Sequence, residues 1–197
     1  MENRPLQPHE KPDPKLDGID HINLYSKGKT PLGQALSNFA HKPFRHPQFG
    51  FFASVEAFWY WLSTGMKHEH LRRLYGASAK TAGIRLLPER MDTAVFEQHI
   101  RDAIKLKIAQ NPKLREAVKK STLPFRHYFV YGTNPPVIRD QIKHHWQVEC
   151  LETIREELQA GQPLLLADGS RASEHGVREE VENPIPEDME PFGPRDD

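Results

Sequence analysis

The chain has 197 residues and a mass of 22.7 kDa, the length of one domain with tails. Lys and Arg together number 27, as do Asp and Glu, so the formal charge is zero; this argues against a strongly basic nucleic-acid binder and leaves room for a local patch. No apolar run reaches the ~18 residues that span a bilayer, residues 1–18 carry no secretory apolar stretch, and a single cysteine, Cys150, excludes an intrachain disulfide or a multi-cysteine zinc site, so a cytoplasmic protein with no membrane partner is expected.

Residues 1–17 hold four prolines and almost nothing to bury, and read as a flexible arm. The texture changes over residues 18–163, where the apolar residues gather. Ile19 to Tyr25 alternates imperfectly and predicts a strand, and Phe49 to Phe52 a second short one. Ser54 is a good N-cap for a helix over about 55–64, and no Gly or Pro follows until Gly65. This helix, Val55-Glu56-Ala57-Phe58-Trp59-Tyr60-Trp61-Leu62, is apolar nearly all round and is expected to be central. Short helices are expected over 68–75 and 77–84, and a longer one from a cap at Asp92 to about Gln110. There Phe96, Ile100, Ala103 and Lys107 share a stripe, with Val95 and Leu106 alongside. Asn111-Pro112 breaks it, and a further short helix covers 113–120. His127 to Tyr131 is the best strand of the second half, and Pro135-Pro136 is read as opening a last helix that runs to about Gln159. Residues 164–197 form an acidic, Pro-rich tail: from Arg178 onward eight acids face two arginines, so the tail is an expected solvated linker or an electrostatic lid over a basic surface. The predicted architecture is α+β, a mostly helical single domain with a few short strands.

Common chemical motifs are missing. There is no P-loop, G-x-G-x-x-G, G-x-S-x-G or H-E-x-x-H, and His68-x-His70 and His144-His145 lack a spaced carboxylate, so neither a metal nor a bound cofactor is expected. Cys150 sits mid-helix among apolar residues and reads as an inert thiol. The unusual residue is Glu56, a carboxylate in the first turn of an aromatic helix. Desolvation there raises its pKa, while the helix N-terminus pulls the other way. Leu36-Ser37-Asn38-Phe39 places a polar pair between apolar residues before it. Ala79-Lys80-Thr81-Ala82-Gly83-Ile84-Arg85 supplies two cations after it, which read alone as a solvated helix face.

The order L-S-N-F, A-S-V-E-A-F, A-K-T-A-G-I-R and K-I-A-Q-N-P over residues 19–158 resembles the NADAR, or YbiA-like, family. The resemblance implies a YbiA-like fold and hydrolysis of an N-glycosidic bond in an ADP-ribosyl or ribosyl-phosphate compound, ADP-ribosylated nucleic acid included. It places the family's glutamate at Glu56, its lysine at Lys80 and its S-N-F at Ser37, Asn38 and Phe39. Departures mark a divergent branch: Ala57 stands where the family has histidine, the motif arginine is displaced to Arg85, residues 88–92 hold no tryptophan and the C-terminal signature is absent. On this reading Glu56 is catalytic, Lys80 and Arg85 hold phosphate, Phe52, Trp59 or Tyr60 stack on the base, and Asn38 bonds ribose or base. Asp140 and Asp92 are the candidates for an assisting acid. The alternatives are an ADP-ribose or nucleotide-binding module without turnover, and an interaction protein that uses its acidic tail.

Overall fold

The computed structural model describes residues 12–86, 93–132 and 136–173. Asp13 caps a 3₁₀ turn, Pro14–Leu16, by accepting the Lys15 N–H. Asp17 is buried, and its carboxylate takes the N–H groups of Asn23 and Lys29. The expected arm over 1–17 therefore joins the body at its C-terminal end, while residues 1–11 lie outside the described residues. The strand expected over 19–25 shrinks to β1, Ile22–Asn23, because its first residues lie in a turn in which the Ile19 and Asp20 N–H groups both donate to Leu16 O.

A helix that the sequence reading did not contain follows. In α1, Pro31–Leu36, Thr30 Oγ1 accepts the Gly33 N–H, and proline occupies the first turn, where its missing donor costs nothing. Gly33 lies so close to the Asn23 carbonyl that no Cβ would fit, which lets α1 pack on β1. β2 (Phe44–His46) and β3 (Gly50–Phe52) form an antiparallel hairpin with Phe44 opposite Phe52. Ser54 caps α2, Val55–Ser63, as its position predicts, with Oγ accepting the Ala57 N–H. A 3₁₀ stretch, Glu69–Arg73, leads to α3, Gly76–Arg85.

Thr93 caps α4, Ala94–Ala109, accepting the Phe96 N–H; the expected cap Asp92 lies outside the described residues. The expected stripe of α4 is internal except for Val95, which is mostly exposed. After α5, Pro112–Lys120, the chain makes β4 (Phe125–Arg126), parallel to β1, and then β5 (Tyr128–Tyr131). The helix expected from Pro135-Pro136 is corrected. Val137–Asp140 is strand β6, antiparallel to β5, then comes a 3₁₀ turn at Ile142–His144, and only His145–Gln159 is helix, α6. A lone strand leaves its backbone donors and acceptors open, so β5 takes the β-branched Val137-Ile138 run as its partner.

The result is an α+β domain, mostly helical with short strands. Its core is built from Phe44, Phe52 and Phe58 on one side and Ile100, Ile104 and Ile154 on the other, with α2 and α4 in contact at its centre. The expected boundary at 163 moves outward: Leu164, Leu166 and Ala172 are buried, and the Ala167 N–H donates to the Asp102 carboxylate. The acidic run from 178 lies outside the described residues. Among the described residues no helix is long and apolar enough to cross a membrane.

Candidate functional site

Local chemistry brings one short segment to the middle of the site. Residues 37–39 follow the C-terminus of α1, and their backbone carbonyls are spoken for by other elements. Asn38 O accepts the Glu56 N–H at 3.0 Å and Phe39 O accepts the Gly76 N–H at 2.9 Å. The first turns of α2 and α3 are thus tied to neighbouring residues of one segment. Between these elements, β5 and α6 lies a cavity of about 550 Å³, within the range of small-molecule sites.

Seven of the sequence-predicted residues line this cavity: Ser37, Asn38, Phe39, Glu56, Trp59, Tyr60 and Lys80. Glu56 and Tyr60 are four apart on α2 and so share a face. Lys80 projects from α3 with its ammonium 5.9 Å from the centre of the Phe39 ring. Three candidates are corrected. Phe52 is fully buried in the core, 4.7 Å from the Phe58 ring and with the Arg72 guanidinium over its face, and it does not reach the cavity. The strand alternation that buries Phe52 turns its neighbour Phe51 outward. Arg85 is exposed near the end of α3 and does not line the cavity. It stands five residues beyond Lys80, about 140° around the helix, so the two cannot serve one face. Thr81 and Ala77 share the Lys80 face and line the cavity. Asp140 pairs opposite Tyr128 on β6, is exposed and does not line the cavity, although its neighbour Gln141 does.

Burial lifts the Glu56 carboxyl to about 7, against the pull of the Lys80 charge. Among the described residues no donor hydrogen-bonds that carboxylate. Tyr60 is pushed up to about 12 by burial and by the facing Glu56. Elsewhere, burial pushes the Cys150 thiol up to about 11, in keeping with an inert thiol.

The opposite wall was missed by sequence reasoning. His127, Phe129 and Tyr131 alternate along β5 and all line the cavity, whereas Tyr128 between them points into the core. The Tyr25 ring meets Phe129 at 5.3 Å. His127 is held neutral, its pKa lowered to about 4 by burial and then by the nearby His144. Gln147 of α6 also lines the site and accepts a hydrogen bond from Asn38 Nδ2 at 3.2 Å. The available signal was the odd-numbered face of the 127–131 strand, three rings in alternation.

The arrangement offers a carboxylate bonded to no donor among the described residues, Lys80 acting on it, Lys27 elsewhere on the lining, an amide pair and an aromatic wall. Such a set can hold a planar ring on one side and meet positive charge on the other. Among the described residues no group of three or more His, Cys, Asp or Glu is arranged to hold a metal ion. Comparison with protein-family models, with curated proteins and with solved structures found no match.

Proposed function

We propose that this chain is a hydrolase of N-glycosidic bonds, acting on an ADP-ribosyl or ribosyl-phosphate nucleotide derivative, as its resemblance to the NADAR family implies. The observation that carries the reading is Glu56: a carboxyl that lines a cavity of nucleotide-compatible size, bonded to no donor among the described residues and with its pKa lifted to about 7.

When a base leaves a ribosyl carbon, the C1′–N bond breaks and its electron pair departs with the base nitrogen. C1′ and the ring oxygen become cationic. A fixed carboxylate beside them favours the transition state over the neutral ground state, because the opposite charge exists only there. A pKa near 7 suits the second task, since the carboxylate takes a proton from the water whose oxygen bonds to C1′ and returns one toward the departing base. Lys80 supplies a point charge for phosphate. Phe129, with Tyr25 at its edge, gives the base a stacking surface, a role for which Phe52 is too deep.

One observation favours the runner-up, a nucleotide-binding module without turnover. Glu56 is the sole carboxylate among the described residues lining the cavity, whereas glycoside-cleaving sites commonly set two. Incubation of the purified chain with ADP-ribosylated guanosine and with ribosyl-phosphate bases, followed by chromatography of released base and by calorimetry, separates the two. Base release lost in Glu56→Gln supports the hydrolase, saturable binding without release supports the module, and neither binding nor release discards both.

A further inference from the structure

Lysine at position 107 is out of place by the ordinary rules. It sits on the apolar stripe of α4, is only 1 % exposed, and is flanked by Leu106 and Ile108, also buried. A buried ammonium is costly unless its donors are met. Here two are: Nζ donates to Leu36 O at 2.9 Å and to Ser37 O at 2.8 Å. Those carbonyls close the C-terminal end of α1, where a cation also meets the negative end of the helix dipole. Burial, with Lys42 nearby, pulls the Lys107 pKa down to about 7, and an amine in either charge state still donates N–H.

The neighbouring bonds show what this anchor holds. Ser37 O is bonded to Lys107 of α4, Asn38 O to the Glu56 N–H at the start of α2, and Phe39 O to the Gly76 N–H at the start of α3. Three successive carbonyls therefore tie three helices, two of which carry the acid and the cation of the cavity. The same end of α4 fixes the rest of the segment: Asn111 Nδ2 donates to Pro43 O, and Gln110 exchanges hydrogen bonds with both backbone groups of Arg45. These contacts account physically for the K-I-A-Q-N-P run, in which Lys107, Gln110 and Asn111 each grip the 36–45 segment.

We propose that Lys107 is a positioning residue that, through the Ser37-Asn38-Phe39 junction, sets the starts of α2 and α3 and hence the placement of Glu56 against Lys80. It does not line the cavity and acts on no ligand directly. The proposal rests on the reading that the Glu56 cavity is the working site, but its test uses no ligand. A failed test removes the junction role alone, and absent base release in the parent removes the hydrolase alone.

The test is amide hydrogen exchange followed by NMR on the full chain, comparing the parent with Lys107→Met. Methionine fills a similar volume without a charge to desolvate, so the core is expected to remain formed. The Glu56 and Gly76 amides, whose acceptors belong to the junction, should exchange at least tenfold faster, while the Val118 amide inside α5 keeps its parental rate. Asn111→Ala, which releases only the 43 end of the segment, should leave Glu56 and Gly76 within a factor of two. Lys107→Gln keeps N–H donors on a shorter arm and should give the same order of effects at smaller amplitude. Parental rates at Glu56 and Gly76 in Lys107→Met overturn the proposal, as does equal acceleration of Val118. Failure of both Lys107 variants to fold also overturns it, since the side chain would then be a global stability element and no specific anchor.

Discussion

The two walls of the cavity are built on opposite principles. The α2–α3 wall is charged and tightly fitted: Glu56 and Lys80 act on each other across it, and Tyr60 packs where Gly83 has no side chain. The rings of β5 and Tyr25 make an uncharged face, with His127 neutral near pH 7 and Lys27 lining the cavity two residues beyond Tyr25. The Glu56 pKa follows from the first wall, where burial raises it and outweighs the opposing pull of Lys80. The contrast divides the labour. A charge that exists only in the transition state is met by the first wall, and a ring present throughout is met by the second. Variants of Glu56 on the first should change kcat, and variants on the second KM, while Lys80, which also meets phosphate, should affect both.

The largest effect expected is on turnover. Glu56→Gln keeps size and removes charge, and should lower kcat for base release by about 10³-fold with little change in KM. A loss confined to KM would put Glu56 on the recognition side and break the division. The same substitution should raise stability. A carboxyl whose pKa rises from 4.5 to about 7 on folding binds its proton more tightly in the folded state, so its destabilising effect is absent below pH 4, grows as pH rises between these values and is complete above pH 7. Urea unfolding should find Glu56→Gln more stable than the parent by about 3 kcal/mol at pH 8 and equal to it near pH 4. Equal stability at both pH values would mean that the carboxylate is well solvated.

The fit of the first wall is tested by Gly83→Ala. A Cβ there would overlap the Tyr60 ring, so α3 must shift away from α2, at a cost of about 1–3 kcal/mol despite the better helix propensity of alanine. Urea midpoints measure it, and a stabilised variant would show that the two helices have room to spare. On the second wall, Phe129→Ala should weaken binding of a base-bearing ligand by roughly 10-fold or more, the usual worth of one stacked ring, with kcat nearly unchanged. Calorimetry with ADP-ribose reads this directly, and Phe52→Leu, in the core, should leave that affinity alone.

The two walls also differ in how far the sequence disclosed them. Glu56 and Tyr60 belong to a helix whose cap, Ser54, and 3.6-residue spacing are local, so that part of the first wall is legible in the sequence, whereas Lys80 reads alone as a solvated face and joins the site only through the family resemblance. Arg85 failed on the same geometry, since five residues carry a side chain most of the way to the opposite face. The second wall depends on pairing that no local pattern contains. Which side of the 127–131 strand faces the cavity is fixed by Tyr128 entering the core against His21, and by β6, whose residues were read as the start of a helix after Pro135-Pro136. Phe52 fell to the same ambiguity, because a short strand with rings at 51 and 52 gives no sign of which one is buried. α1 is equally dependent on its surroundings: six residues are too few to stand alone, and it forms where Gly33 can lie against the Asn23 carbonyl.

The smallest effect expected sharpens the contrast furthest, because it separates charge from contact within one wall. Lys80 favours the ionised form of Glu56, so Lys80→Gln should carry the Glu56 pKa above about 7. The base form is then reached later, and the acidic limb of the pH profile of kcat should move to higher pH, with activity falling most near pH 6 and recovering toward pH 9. Loss of a phosphate contact by the same variant raises KM at every pH and leaves that limb in place, so the two roles of Lys80 are read from different parameters. Arg85→Gln is the matched control. It removes an equal charge from the same helix on a face turned from the cavity, and should leave the limb unmoved. An identical shift in both variants would mean that Glu56 responds to the overall field of α3 and not to a cation placed beside it.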